Sequence, residues 1–322
     1  MEWEQRCIRL CAAVLICAVV LRLWSAGALA PVGLALQSRQ AASFLMYLQT
    51  GRVVRQMPEP EIHPPVVETV PVREPEVPRF TAKEIDNIAV DNNCGQSPDL
   101  AALLTQELSW DLTGPGPRVL ILHSHTTEGY TQTADSPYEE SSEYRTLDSG
   151  HNMIAIGKIL AEILQDAGIG VIHDTDLHDY PSYNGSYSHA AASTKKYLEQ
   201  YPTIELILDL HRDAADTAMG QLVTRCSVGG EQSAQLMFVM GTDTRLKHPN
   251  WEQNLSLALK LQVLLEKTHP GICRDLSLSK NRYNQHLGPR TLLVEIGAAG
   301  NTLEEAKPAA KALAKAIAQL CG

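Results

Sequence analysis

Three short apolar runs each end in residues that could do chemistry. Val119-Leu120-Ile121-Leu122 leads into His123-Ser124-His125-Thr126-Thr127-Glu128. Leu206-Ile207-Leu208-Asp209-Leu210 leads into His211-Arg212-Asp213, and Leu292-Leu293-Val294 into Glu295-Ile296-Gly297. A single histidine at such a place is usually an ordinary loop residue. Imidazoles and carboxylates at the ends of three separate runs form a joint signal. Histidine nitrogens and acid oxygens are the usual partners of Zn²⁺, and a catalytic zinc keeps one position open for water.

The elements that must position these groups follow from the runs themselves. Each reads as a buried parallel strand, and open α/β sheets bind ligands beyond the carboxyl ends of their strands. Helical periodicity fills the gaps. Asp99–Trp110 is expected as a helix, then His151–Ala167, closed by Gly168, then Ser186–Gln200, Trp251–Lys267 and Thr302–Leu320. Further strands are expected at Arg118–Leu122, Ile169–Ile172, Ile204–Leu210 and Thr291–Ile296. Gln221–Val228 and Ala234–Gly241 read as a pair joined through Gly229-Gly230. Alternating strands and helices predict an α/β fold, a mostly parallel mixed sheet flanked by helices.

Composition narrows the field. The 322 residues suffice for one sizeable domain with appendages, and the net charge is -10 with 20% charged residues. No Lys/Arg-rich patch appears, which argues against nucleic acid. Cys7, Cys11 and Cys17 lie in an N-terminal apolar segment, whereas Cys94, Cys226, Cys273 and Cys321 are scattered without a CxxC. That disfavours a cysteine-based metal site and leaves a Cys226–Cys273 disulfide open.

Residues 1–30 read as a membrane anchor. Leu10–Leu21 is apolar or small, and the run resumes after Arg22 as Leu23-Trp24-Ser25-Ala26-Gly27-Ala28-Leu29-Ala30. The segment reaches the ~20 residues needed to span a bilayer if Arg22 snorkels to an interface. Arg6 and Arg9 favour a cytoplasmic N-terminus. A cleaved signal ending at Ala28-Leu29-Ala30 is the rival, and either reading sends the rest of the chain across the membrane. Residues 31–79 are expected to form a juxtamembrane segment and a stiff Pro/Glu-rich spacer, with seven prolines between Pro58 and Pro78. The folded domain, 80–322, is expected to start near Phe80.

The motifs His-Ser-His-Thr-Thr-Glu-Gly-Tyr, Asp-Leu-His-Arg-Asp-Ala, Tyr283-Asn284-Gln285 and Val-Glu-Ile-Gly resemble, in order and spacing, the stage II sporulation protein P family. The resemblance covers roughly residues 85 to 320. It implies a zinc-dependent N-acetylmuramoyl-L-alanine amidase, cutting between muramic acid and the L-alanine of the peptidoglycan stem. It further implies a place in engulfment beside a lytic transglycosylase and a membrane scaffold. The relatives carry a His–Glu–His zinc triad and a separate catalytic glutamate. Carried over, His125 and His211 are metal ligands and Glu295 is the catalytic glutamate. The middle ligand falls on Asp148, four residues before Asn152, with His123, Glu128 and His151 as rivals. Arg212 is a second catalytic candidate, for an oxyanion or a peptide carboxylate. Against the enzyme stand an inactive wall-binding scaffold and a zinc metallopeptidase acting on peptide cross-links.

Overall fold

The computed structural model describes residues 78–218, 220–288 and 290–321. In chain order the elements are β1 (Val90–Asn92), α1 (Leu100–Thr105), β2 (Val119–Leu122), α2 (Met153–Asp166), β3 (Val171–His173), α3 (Ser186–Gln200), β4 (Leu206–Asp213), β5 (Asp216–Thr217), β6 (Gly220–Gln221), β7 (Arg225–Val228), β8 (Glu231–Ala234), β9 (Leu236–Gly241), α4 (Trp251–Thr268), β10 (Leu276–Ser279), β11 (Thr291–Ala298) and α5 (Leu303–Gln319). A seven-stranded sheet runs β1-β10-β9-β11-β4-β2-β3. Its pairings are parallel except β9 with β11, which is antiparallel. The fold is therefore mixed α/β with a mostly parallel sheet flanked by helices.

Strand periodicity sorts the side chains between two cores. Val119 and Ile121 of β2 enter the larger core with α2, α4 and α5, while Leu120 and Leu122 meet Ala190 and the α3 side. In β4, Leu206, Leu208 and Leu210 face the larger core and Ile207 the α3 side. In β11, Leu292, Val294 and Ile296 face the larger core. The odd-numbered Asp209, His211 and Glu295 therefore share the α3 side. Strands β11, β4 and β2 are adjacent and parallel, so their carboxyl ends lie on one edge.

Local chemistry sets the element ends. Asn152 caps α2 by accepting from the Ile154 amide at 3.0 Å. Thr302 and Glu305 form a capping box on α5. The first helix stops at Thr105, short of the expected Trp110. The buried Lys260 ammonium donates to the Leu103 and Leu104 carbonyls at 3.0 and 2.8 Å, taking up helix-end acceptors. The hairpin at Gly229-Gly230 also departs from expectation. Both glycines have positive φ (60° and 87°), the requirement of a tight two-residue turn. The turn joins β7 to β8, not to Leu236–Gly241, which enters the main sheet as β9.

Cys94, Cys226, Cys273 and Cys321 are free thiols. The expected anchor at 1–30 and nearly all of the 31–79 segment lie outside the described residues. Among the described residues no helix is long and apolar enough to cross a membrane.

Candidate active site

β4 continues through Asp213, so His211 and Arg212 belong to the strand instead of following it. Glu295 on β11 stands in register with His211 on β4, and adjacent parallel strands place both side chains side by side. His125 follows β2 by three residues. Its ring lies 5.3 Å from that of His211, edge to face. Glu128 completes the cluster, with Oε2 3.5 Å from His211 Nδ1. All of these groups lie beyond or at the ends of the three central strands.

Buried charge is balanced inside the cluster. Asp209 accepts from the Ser124 amide at 2.8 Å and the Ser124 hydroxyl at 2.6 Å, tying the His125 loop to β4. Its Oδ1 also comes within 2.9 Å of His211 Nε2, out of line for a hydrogen bond. Burial opposes a charged imidazole, yet Asp209 and Glu128 together hold the His211 pKa well above the ordinary histidine value. Burial likewise opposes the Glu128 carboxylate, but Arg212 and His211 bring it down to about 2. Glu295 goes the other way. Burial, reinforced by Glu128 and Asp213 and opposed by His211, pushes it up to about 8. Three buried atoms in this cluster lack hydrogen-bond partners: His125 Nδ1, His211 Nε2 and Glu295 Oε2.

The surrounding shell fixes the cluster. Arg145 bridges it, with Nη1 2.5 Å from Asp179 Oδ2 and Nη2 3.3 Å from Glu128 Oε1. Asp179 accepts from the Thr127 amide and hydroxyl. Tyr183 stacks on His125 with ring centroids 4.6 Å apart, and Tyr187 meets the same imidazole edge-on at 5.3 Å. Sequence reasoning missed Arg145, Asp179 and both tyrosines, which sit in loops or on the polar α3 helix without apolar periodicity to mark them.

The other candidates stand elsewhere. Asp148 is a surface residue, its carboxylate held by the Gly150 amide at 2.8 Å and by His151 Nδ1 at 2.7 Å. Its partners are those of a turn before α2, not the strand-end imidazoles. His151 also reaches Ser136 Oγ at 3.1 Å. His123 is fully buried beneath α2. Its Nδ1 donates to the Leu210 carbonyl at 3.1 Å, so its Nε2 must accept from His173 Nε2 at 2.9 Å. Gly157 of α2 allows this, because a Cβ there would lie 2.7 Å from His123 Nε2. Arg212 is buried as well. Its Nε donates to the Gly129 carbonyl at 2.9 Å, its Nη2 to the Tyr144 carbonyl at 3.0 Å, and its Nη1 lies 3.6 Å from Glu128 Oε1. Its guanidinium clamps the loop that carries Glu128; the structure does not turn it toward an oxyanion.

The Tyr283-Asn284-Gln285 motif has a structural explanation. Gln285 is buried, accepting from the Gly241 amide at 2.9 Å and donating to the Val239 carbonyl at 2.7 Å, which locks the end of β9. Asn284 donates to the Tyr187 carbonyl at 2.6 Å. Tyr283 and Asn284 both hold positive φ, 44° and 61°. The motif therefore anchors the aromatic wall beside the imidazoles.

His125 and His211 each have a buried nitrogen without a hydrogen bond, and Glu128 stands 3.5 Å from the other nitrogen of His211; these are donor types that Zn²⁺ takes. The fit is one of chemistry: among the described residues no three His, Cys, Asp or Glu side chains stand in a metal-holding arrangement.

Sheet and cluster define an α/β protein with a His/Glu centre at the carboxyl edge of its strands. The chain belongs to the stage II sporulation protein P family, whose match spans residues 60–318. It is 30% identical over 220 residues to the stage II sporulation protein P of Bacillus subtilis (strain 168), which covers 65% of this chain and 52% of that relative. The chain thus spans about half the length of that curated relative. Among solved structures, it is similar to the N-acetylmuramoyl-L-alanine amidase AmiC2 of Nostoc punctiforme at 15% identity and a TM-score of 0.39, covering 63% of this chain and 97% of that one. The CwlD amidase of Clostridioides difficile, solved in complex with the GerS lipoprotein, overlaps at 15% identity and a TM-score of 0.37, covering 62% and 96%. Overlap at that level carries no weight for the chemistry of this chain.

Proposed function

We propose that this chain is a peptidoglycan hydrolase of sporulation, a zinc-dependent N-acetylmuramoyl-L-alanine amidase that works across the membrane from an N-terminal anchor. The observation that carries the reading is the convergence of His125, Glu128 and His211 beside Glu295 on one sheet edge. Family membership supports the setting. The whole relative's partners, a lytic transglycosylase and a membrane scaffold, are part of the same proposal.

His125, Glu128 and His211 would hold the zinc. Such an ion supplies Lewis acidity toward an amide carbonyl and toward water. The remaining work belongs to side chains of this protein. Glu295, with Oε2 unpartnered, accepts a proton from the attacking water and returns it to the leaving amine. Arg212 and Arg145 act through Glu128, holding its carboxylate in place. Asp209 fixes the His125 loop through Ser124 and approaches His211 from below. Tyr183 and Tyr187 orient the imidazoles and shield them from bulk water.

The test is mass spectrometry of purified peptidoglycan digested by the protein, with and without a chelator. Free stem peptides and intact glycan, lost on chelation and restored by zinc, are expected. Cleavage confined to peptide cross-links would replace the amidase with a peptidase. Wall binding without any cleavage would replace it with a scaffold.

A further inference from the structure

The chain carries a net charge of -10, yet one groove beside the imidazoles is lined without a single carboxylate. This open groove of ≈ 830 Å³ includes Tyr187, Tyr283, Leu246, His286, Arg245 and Arg282 in its lining. Tyr187 belongs to both places. Its ring lies 5.3 Å from His125 and 6.3 Å from His211, and 5.9 Å from Tyr283. Tyr187, with Tyr283 behind it, thus joins the groove to the imidazoles. An extended peptide advances roughly 3.4 Å per residue, so about four residues cover the path from His125 past Tyr187 to Tyr283.

The lining is built, not loose. Asn284 pins the Tyr187 backbone. Arg245 Nη1 donates to Asn281 Oδ1 at 2.9 Å, and Arg282 Nη1 donates to the Lys247 carbonyl at 2.6 Å. Each bond orients a guanidinium while using only part of its five-donor fork. Gly241 lets this segment approach, because a Cβ there would meet Arg282 Cα at 2.5 Å. Leu246 is 59% exposed, an apolar side chain left facing solvent beside two cations. His286 Nδ1 is buried without a hydrogen-bond partner. Aromatic walls, an exposed leucine and two forked cations match an extended peptide that carries acidic groups.

We infer that this groove is the subsite for the peptide half of the substrate, with Arg245 and Arg282 binding a free carboxylate of the stem peptide. The inference rests on the peptidoglycan reading above. Guanidinium and carboxylate pair through two parallel charge-assisted bonds, which fixes direction as well as affinity.

The test uses a soluble stem peptide without glycan, which contains no bond for an amidase to cut, so binding is read without turnover. Titration calorimetry with the full chain in detergent compares this peptide with a form whose carboxylates are all amidated. The acidic peptide is expected to bind on the order of tenfold more tightly, with an advantage that shrinks as salt rises. Arg245→Ala with Arg282→Ala is expected to remove that advantage and leave the amidated peptide at its parental Kd. Arg245→Lys with Arg282→Lys keeps the charge without the fork and is expected to fall between. Equal affinity of the parent for the two peptides, or an undiminished preference in a folded alanine variant, overturns the inference. Predicted binding without hydrolysis of peptidoglycan sinks the amidase reading and spares the groove. Hydrolysis with no peptide preference sinks the groove alone.

Discussion

His123 and His125 leave the same strand two residues apart, and His123 continues the odd-numbered face of β2 into the larger core. There both of its nitrogens are matched, one to the Leu210 carbonyl and one to His173. Burial first, and then His173, pushes its pKa down to about 3, so it stays neutral. His125 lies past the strand end, under Tyr183, with Nδ1 buried and unmatched. Carboxylates separate the two environments further. Glu128 and Asp209 converge on His211, and Glu295 lies beside it, whereas the His123–His173 pair hydrogen-bonds only a neutral carbonyl and each other, and the carboxylates near it, Asp209 and Asp174, do not offset burial. Residue type alone does not set the two histidines apart; His125 keeps a buried nitrogen without a hydrogen bond, and His123 does not.

The comparison breaks most sharply if the partnered pair proves to be the reactive one. His125→Ala and His211→Ala are each expected to remove zinc binding and reduce hydrolysis to background. Metal analysis and muropeptide release measure the two losses. Full zinc content in either variant, with loss in His123→Ala, would invert the assignment.

Next in size is Glu295. Glu295→Gln keeps the shape but cannot accept a proton, and a rate loss of ~10²-fold or more is expected with zinc retained. Wall binding should also persist. Loss of zinc would make Glu295 a ligand, and near-normal turnover would make it structural.

The middle ligand comes third. Glu128→Ala is expected to weaken zinc binding by on the order of 10²-fold or more, since even the partners that only orient a metal ligand are worth about 10–100-fold. Asp148→Ala should leave it unchanged, because that carboxylate is 51% exposed and faces His151. The reverse pattern in competition titrations with a chromophoric chelator would restore Asp148 to the site.

Much of this arrangement was legible in the sequence, and the failures are specific. The apolar runs located β2, β4 and β11, since fully buried strands read as unbroken hydrophobic stretches. Ser186–Gln200 was delimited to the residue. The ends were harder. His211 looked like a loop residue because it is polar, yet β4 carries it inside the sheet with Asp209 and Glu128 for company. Short strands β1 and β10, three and four residues long, left too little pattern to find. The choice between Asp148 and Glu128 depends on how a loop folds back, here through the bridge of Glu128 with Arg145, which no spacing rule encodes. Parity carries His123 with Val119 and Ile121 toward α2, but His125 has the same parity; only the turn of the chain after β2 separates the two.

The smallest expected effect concerns stability. An unfolded histidine titrates near 6.5. His123 and His173 are depressed in the folded protein to about 3 and about 4, in both cases mainly by burial. A depressed histidine binds fewer protons folded than unfolded, so its contribution is fully present above 6.5 and is lost as pH falls toward 3. Between pH 7 and pH 5 the loss from His123 is about 2 kcal/mol. His178 and His211 are raised and oppose this trend. His123→Gln retains a donor toward the Leu210 carbonyl but has no proton to gain. Urea unfolding of parent and variant at both pH values should therefore show a drop that is smaller in the variant by about 2 kcal/mol. The raised groups are common to both proteins and cancel in the comparison. Equal drops would mean that His123 is not held neutral by its burial. The contrast between the two histidines of this one strand would then lose its physical basis.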